Sequence, residues 1–199
     1  DWWLIAAPDK SFVWLKGNWK IEELRLFRDS MRTMADRLGG TQVFRRNVGP
    51  FKVEKKEGSE GGPVDGPCWG HPACAWNGVV SIWNNTFASD DWFAKSVLVH
   101  EVAHIWDQVS WKNPEGGPLS KGMMEFVGNS ESCGLGPITW PCVYNSSHSP
   151  PIPSRFTDYA QKSRREDWAV SVSAWVLGDP LSVDRSQYIQ YVVRRWEVE

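Results

Sequence analysis

The chain has 199 residues and a net charge of −2, with ordinary shares of apolar and charged side chains. This length fits one domain, or one domain split into two lobes around a cleft. The small net charge gives no reason to expect a nucleic acid as partner, and no apolar run approaches the roughly 20 residues of a membrane span. We therefore expect a globular protein without a nucleic-acid partner and without a membrane span.

The first 40 residues predict strand structure followed by a helix. Residues 2–15 are aromatic and apolar, which predicts one strand or two short strands. Apolar side chains then recur at three- and four-residue steps over about residues 19–38, which predicts a helix. Asn18 can cap the start of this helix, and Gly39 follows its end.

Alternation of apolar and polar residues predicts strands in the next part of the chain. The two clearest segments are Thr41–Val48 and Phe51–Lys55. Residues 57–67 form a loop rich in glycine, proline and acidic residues. Residues 78–87 predict a further strand that leads into a helix.

Most of the remaining chain predicts helices. An apolar helix is expected from near Ser89 and Asp90, either of whose side chains can cap it, to about Val109. Residues 128–153 form a long irregular segment with two cysteines and five prolines. Three further helices are expected, at about 120–127, at Arg165–Leu177, and from Asp184, which can cap it, to about Trp196.

The order of these elements predicts an α+β fold. Strands and one helix come first, and helices dominate later. We expect a two-lobed domain. Its upper lobe, residues 1–110, contains a small sheet and the apolar helix, and its lower lobe, residues 111–199, is mostly helical.

The four cysteines form two local pairs in loops rich in proline and glycine. Three pairings are possible, and the sequence does not choose among them. The simplest interpretation is two disulfides, Cys68–Cys74 and Cys133–Cys142. Free thiols and a four-cysteine zinc site are the alternatives, and the zinc site fits worst because zinc-binding cysteines are usually two to four residues apart. Disulfides would indicate a secreted protein.

The segment HEVAH, from His100 to His104, lies within the apolar helix. Its two histidines are one turn apart on one helix face, so both imidazoles can bind one Zn²⁺. Glu101 lies beside the first histidine, where it can take a proton from an attacking water. Burial of three such side chains among apolar neighbours is costly unless they are paired or metal-bound. The motif predicts a zinc hydrolase; the alternative is a helix with two hydrogen-bonded core histidines.

A catalytic zinc site typically uses three protein ligands and leaves one position open. Asp107 shares the helix face of the histidines and can be a ligand, a carboxylate that orients an imidazole, or a solvated residue at the helix end. Three ligands so close on one helix would crowd the ion, which favours the orienting role. Other candidate ligands are His71 and His148, which lie in loops. Glu166 and Asp167 open a later helix. Acidic residues are also common at a helix start for a purely structural reason, because they interact favourably with the helix dipole. The residues alone leave these candidates open.

The segment VHEVAHIWD, together with Tyr159 and the later segment REDWA at Arg165–Ala169, resembles the gluzincin metallopeptidases. Among them it is most similar to the catalytic domain of anthrax lethal factor and its relatives. That group has an H-E-x-x-H-x-x-D helix and a later helix beginning E-x-x-A. The resemblance covers about residues 79–178. It implies a zincin-like fold in which Glu166 is the third zinc ligand and Tyr159 helps to stabilise the oxyanion.

The sequence departs from this group at several points. Val170 stands where the group often has glutamate, four residues after the third ligand. Ala103 stands where glycine is common before the second histidine. The long interval between the two motif segments predicts that residues 133–142 belong to an insertion near the cleft. Residues 1–75 match no pattern of this group.

Together, the motif and the resemblance predict a secreted, zinc-dependent endopeptidase that hydrolyses peptide bonds of a protein or peptide substrate. Zn²⁺ would be held by His100, His104 and Glu166, with Glu101 as general base. As in gluzincins generally, residues 79–86 are expected to form the sheet edge that pairs with an extended substrate. A monomer is favoured.

Two other functions fit parts of the sequence. The chain has fourteen tryptophans, which would suit a zinc-binding but non-catalytic module that recognises protein or glycan. We expect these side chains mainly to pack, because large aromatic residues are common in cores. The same zinc scaffold would also suit a hydrolase of cell-wall peptides.

Overall fold

The computed structural model describes residues 2–7, 10–58, 68, 70–110, 118–132, 143–146 and 157–197. The helices in these ranges are α1 (Ile21–Arg37), α2 (Thr41–Val48), α3 (Asp91–Ser110), α4 (Leu119–Phe126), α5 (Thr157–Ala160), α6 (Arg164–Leu177) and α7 (Val183–Glu197). The strands are β1 (Trp2–Ala7), β2 (Lys10–Lys16), β3 (Phe51–Lys55), β4 (Ala73–Trp76), β5 (Val79–Ile82), β6 (Ser130–Ser132) and β7 (Val143–Asn145). The expected α+β class is confirmed.

The chain forms two compact units that divide between Val109 and Ser110. The first contains a five-stranded sheet with helices α1, α2 and α3. The second contains the hairpin of β6 and β7 and helices α4 to α7. Within the part of the chain that the structure describes, no helix is long and apolar enough to cross a membrane.

The five-stranded sheet has the order β1-β2-β3-β5-β4. Strands β2, β3 and β5 run parallel, whereas β1 and β4 pair antiparallel with their neighbours. The expected strand at Phe51–Lys55 is confirmed, and its buried Phe51 and Val53 alternate with the exposed Lys52 as expected of a strand with one core face. The order places β4 at an edge and β5 inside the sheet.

The expected sheet edge was therefore wrong, and one strand was missed. Residues 79–86 are not the sheet edge, because β5 lies between β3 and β4, and Asn84–Phe87 forms a 3-10 helix. Strand β4 was not expected at all. Its four residues, ACAW, are too few to show a period, and they follow a loop rich in proline and glycine.

Helix α1 follows the expected period, but its start differs. Its buried apolar side chains recur at three- and four-residue steps: Phe27, Met31, Met34. The prediction that Asn18 caps this helix was wrong, because Lys20 is the N-cap residue. The Lys20 N–H donates to the carboxylate of Glu23 at 2.8 Å. Glu23 also pairs with Lys55 of β3, which ties the start of α1 to the sheet.

The prediction of a strand at Thr41–Val48 was wrong, because this segment is helix α2. The buried residues Phe44, Asn47 and Val48 recur at steps of three and four along one helix face, whereas a strand would place Asn47 on the opposite face. Gly40 and Gly49 flank the helix with positive φ angles of 113° and 69°. Glycine adopts such angles readily. The backbone therefore leaves the helical conformation at both positions, and the helix is limited to the eight residues between them.

The second unit is held by the apolar faces of its longer helices. Fully buried side chains come from α4, α6 and α7: Met123, Trp168, Ile189. Helix α6 ends before Gly178, which has the left-handed conformation expected of a helix stop. The expected cap at Asp184 was wrong, since Asp184 lies inside the first turn of α7 and the Ser182 hydroxyl accepts the Arg185 N–H at 3.4 Å.

The expectation of an irregular segment at 128–153 is corrected in part by β6 and β7, which form a hairpin there. The disulfide Cys68–Cys74 is confirmed. The proposed pair Cys133–Cys142 and the candidate ligand His148 lie outside the described residues. The expectation that tryptophans pack is confirmed for three of them: Trp83, Trp106, Trp168.

Candidate metal centre

The two histidines of the HEVAH segment lie in the middle of α3, where the sequence analysis expected them. The helix is apolar over most of its surface and largely buried, so its backbone is held firmly. Of the two candidate caps, it is Asp90 that caps the helix, because its carboxylate accepts the Phe93 N–H at 2.7 Å. The burial of α3 and its cap therefore fix the positions of His100 and His104 on the helix.

The imidazoles of His100 and His104 converge through the same ring atom. Their Nε2 atoms are 3.1 Å apart, and the ring planes are nearly perpendicular at 88°. Two nitrogens bound to one tetrahedral Zn²⁺ at about 2.0–2.1 Å would lie roughly 3.3 Å apart. The spacing of this pair therefore fits two ligands of a single ion.

Two carboxylates of α3 lie close to these histidines in the chain and are buried. Glu101 is 6% exposed, and Asp107 is 3% exposed. The burial of Asp107 excludes the alternative of a solvated carboxylate at the helix end. A buried carboxylate is stable only when hydrogen bonds or positive charge compensate it, so both side chains belong to a polar environment inside the fold.

Glu166 lies in the first turn of α6, and the start of this helix is fixed by a cap. The Ser163 hydroxyl accepts the Glu166 N–H at 3.2 Å. Ser163 and Glu166 are three residues apart, the spacing of a serine cap with an acidic residue in the first turn. This cap was not predicted, although the pattern S-x-x-E spans residues 163–166.

Asp167, the residue after Glu166, ties the first turn of α6 to helix α7. Asp167 accepts two hydrogen bonds from the Arg185 guanidinium of α7, both at 2.8 Å, and both residues are fully buried. It also accepts the Tyr144 hydroxyl of β7 at 2.5 Å and the Ser171 hydroxyl at 3.2 Å. A bidentate pair of this kind is geometrically specific. Asp167 is thus a structural anchor rather than a candidate ligand.

This network changes the acid–base behaviour of its members. Burial raises the pKa of the Tyr144 phenol well above its usual value, and the negative charge of Asp167 raises it further. Burial acts to lower the pKa of Arg185, but the hydrogen bonds and charge of Asp167 outweigh it, so the pKa is raised. Tyr144 therefore stays a neutral donor and Arg185 a cation at any ordinary pH. No sequence pattern pointed to Arg185.

Tyr159 lies on the short helix α5, directly before the turn that leads into α6. Its side chain is partly buried. The Lys162 ammonium lies over the Tyr159 ring at 4.3 Å from its centroid, and the Lys162 N–H donates to the Tyr159 carbonyl at 3.1 Å. A cation over an aromatic face is attractive, so this pair restrains the tyrosine ring.

Three of the predicted site residues come together. His100, His104 and Glu166 each offer one ligand atom, and these atoms all lie within 4.8 Å of one another. Each of the three side chains is partly exposed, so an ion and a further small molecule could reach them. Asp107 and His71 do not belong to this group of ligand atoms. The donor set of two imidazole nitrogens and one carboxylate oxygen suits Zn²⁺.

No protein family, no curated protein and no solved structure matches this chain. The function is therefore inferred from the residues of the site and from their geometry.

Proposed function

We propose that this protein is a zinc-dependent endopeptidase of the gluzincin type with a zincin-like fold. The observation that carries the proposal is the convergence of His100, His104 and Glu166 within 4.8 Å. Two imidazoles and one glutamate are a known donor set of catalytic zinc sites, which keep a fourth position for water or substrate. The order of the motifs along the chain supports the same reading.

Three side chains would act together with the bound ion: Glu101, Tyr159 and Asp107. When bound, Zn²⁺ supplies a Lewis acid that acidifies water and polarises a carbonyl group. Glu101 takes the proton of the attacking water and returns it to the leaving amine nitrogen, as a general base and then a general acid. Tyr159 donates a hydrogen bond to the oxygen of the tetrahedral intermediate. Asp107 accepts a hydrogen bond from an imidazole and orients it.

The proposed substrate is an extended protein or peptide segment that pairs with an edge of the five-stranded sheet. This edge is β4, which replaces the segment that the sequence suggested. Addition of a peptide strand to an exposed sheet edge is a common recognition mode. The disulfide Cys68–Cys74 ends within β4 and supports both an anchored edge and a secreted protein.

One observation favours a second candidate function. Trp76, the last residue of β4, is 54% exposed, and an exposed tryptophan ring suits stacking against a sugar. A zinc-binding module that recognises glycan, or a hydrolase of cell-wall peptides on the same scaffold, would use this ring in that way. Assays on protein, on peptidoglycan and on glycan alone separate these functions.

The test combines metal analysis with hydrolysis of casein by the purified chain. We expect about one zinc per chain and proteolysis that a chelator abolishes. Glu101→Gln keeps the zinc but lowers kcat about 10²- to 10⁴-fold, the usual contribution of a positioned base. Glu125→Gln, the same change at an exposed position of α4, is the matched control and keeps full activity.

Two results would contradict the proposal. Full activity of Glu101→Gln with zinc bound would remove Glu101 from the mechanism. A zinc-loaded wild-type protein that cleaves neither casein nor a peptide library would indicate the non-catalytic module, and release of peptidoglycan fragments instead would indicate the cell-wall hydrolase.

A further inference from the structure

The tripeptide Asn84-Asn85-Thr86 has the N-x-T pattern of an N-glycosylation sequon. Such a tripeptide is informative when its asparagine lies on the surface of a protein that enters an oxidising compartment. The structure meets the first of these conditions. Asn84 opens the 3-10 helix between β5 and α3 and is exposed, so a bulky and water-soluble glycan on this side chain would stay in solvent.

The backbone around Asn84 is held to the fold although the side chain is exposed. The Asn84 N–H donates to the Gly58 carbonyl at 3.1 Å. The preceding Trp83 is 4% exposed, and its N–H donates to the Pro72 carbonyl at 2.9 Å. Neither bond uses the Asn84 side chain, so a glycan attached there would leave both of them in place.

Thr86, the third residue of the sequon, has the opposite environment. It is 0% exposed, and its hydroxyl donates to the Pro72 carbonyl at 2.7 Å. An enzyme that transfers an N-glycan must reach this hydroxyl as well as the asparagine, because both residues define the motif. The fold buries the hydroxyl, so a transfer to Asn84 requires the chain before it folds.

The Pro72 carbonyl also connects the sequon with a disulfide. Pro72 lies between Cys68 and Cys74, which are bonded to each other, and its carbonyl accepts hydrogen bonds from both Trp83 and Thr86. Closure of the disulfide loop therefore goes together with the burial of Thr86. Disulfides form in oxidising compartments such as the lumen of the endoplasmic reticulum, where N-glycans are also attached.

We propose that Asn84 is an N-glycosylation site that is modified before the loop closed by Cys68–Cys74 folds onto Thr86. In the transfer, the amide nitrogen of Asn84 attacks the anomeric carbon of an oligosaccharide that is carried on a lipid pyrophosphate. The bond from this carbon to the pyrophosphate oxygen breaks, a carbon–nitrogen bond forms, and the amide nitrogen loses one proton. This modification rests on the proposed secretion of the protein and not on its zinc chemistry.

The first test maps the glycans of the full chain, secreted from insect cells behind a signal peptide, by mass spectrometry of its peptides before and after deglycosylation. We expect a glycan at Asn84 that Asn84→Gln and Thr86→Val abolish and that Thr86→Ser, which keeps a hydroxyl, retains. Asn85→Gln is the matched control, because it changes the neighbouring asparagine and keeps the N-x-T pattern. Peptide mapping separates Asn84 from the second sequon, residues 145–147, which ends outside the described residues.

The second test compares two forms of the unglycosylated chain, produced in bacteria, as acceptors for a purified oligosaccharyltransferase with a lipid-linked oligosaccharide. One form is folded with Cys68–Cys74 closed, and the other is reduced and unfolded. We expect Asn84 of the folded form to be modified at least about tenfold more slowly, because Thr86 must first leave its buried position. Equal rates would contradict the proposed order of events, and an unmodified Asn84 in the unfolded form would overturn the site itself.

The outcomes separate this site from the proposed peptidase. A chain from insect cells that binds zinc and cleaves casein but has an unmodified Asn84 would overturn the modification and leave the peptidase standing. A chain glycosylated at Asn84 that neither binds zinc nor cleaves casein would support the modification and contradict the peptidase. If the cells retain the chain, its intracellular form is mapped in the same way, because the transfer precedes secretion.

Discussion

At the scale of single residues, the HEVAH segment combines burial with polarity. Glu101 and, three residues after the segment, Asp107 are almost completely buried in a helix whose buried side chains are mostly apolar. An ion bound at the Nε2 atoms of His100 and His104 would supply positive charge next to them. Such a charge would offset part of the cost of burying these two carboxylates, because burial of an uncompensated charge costs several kcal/mol.

Tyr159 offers the clearest test of a single catalytic side chain. Tyr159→Phe removes only the hydroxyl that we expect to stabilise the oxyanion. Loss of one such donor lowers kcat about 10²- to 10³-fold, with KM and zinc content nearly unchanged. Steady-state kinetics on a casein peptide and metal analysis measure both quantities.

The matched control is Tyr191→Phe, because Tyr191 is 56% exposed on α7. We expect this variant to behave as wild type. A Tyr159→Phe protein that raises KM and keeps kcat would place Tyr159 in substrate binding instead of oxyanion stabilisation.

At the scale of elements, the first turn of α6 is the most strongly fixed part of the second unit. The Ser163 cap holds its backbone, and the buried pair of Asp167 and Arg185 joins it to α7. Tyr144 joins the same carboxylate to β7. A proposed ligand at Glu166 gains from this arrangement, because a metal site needs ligands whose positions are set before the ion binds.

The ion pair predicts a large loss of stability on disruption. Asp167→Asn leaves the Arg185 charge buried without its partner, which costs about 3–5 kcal/mol. Urea unfolding followed by circular dichroism measures the free energy of unfolding. Zinc affinity should fall as well, because the turn that carries Glu166 loosens.

Asp29→Asn changes an exposed aspartate that pairs with the neighbouring Arg28, and it provides the control. Surface pairs contribute about 0–1 kcal/mol, so its stability should stay close to wild type. An equal effect of the two substitutions would show that the buried pair does not hold the second unit.

At the scale of the whole molecule, an ion that binds only the native state must raise stability. At a free zinc concentration 100 times the Kd the gain is about 2.7 kcal/mol. For a chain of this length each kcal/mol moves the Tm by roughly 2–4 °C. We therefore expect zinc to raise the Tm of the metal-free protein by about 5–10 °C, measured by differential scanning calorimetry.

Glu166→Gln should remove most of this shift, because it replaces the proposed charged ligand. Glu125→Gln keeps the shift and controls for loss of a surface carboxylate. A zinc-induced shift of the same size in Glu166→Gln would exclude Glu166 as the third ligand, whatever the activity of the protein.

Periodicity predicted the long elements and some short ones, but it failed for Thr41–Val48 and for β4. Helices α1, α3 and α6 are long enough for their apolar repeats and end signals to dominate, so their positions were close to those expected. Segment Thr41–Val48 and strand β4 are too short for that. The secondary structure of α2 depends on the turns at Gly40 and Gly49. That of β4 depends on its pairing with β5.

The sequence by itself determined the α+β class and the helix that places His100 and His104 one turn apart on one face. Local patterns suffice for these, because ligand spacing within a helix is fixed by its turn. Only the tertiary structure decided that β4 lies at an edge of the sheet, that Asp167 pairs with Arg185, and that Gln108 reaches the Ala75 carbonyl. These contacts join residues far apart in the chain, and no local period encodes which distant partner a strand or a charge will meet.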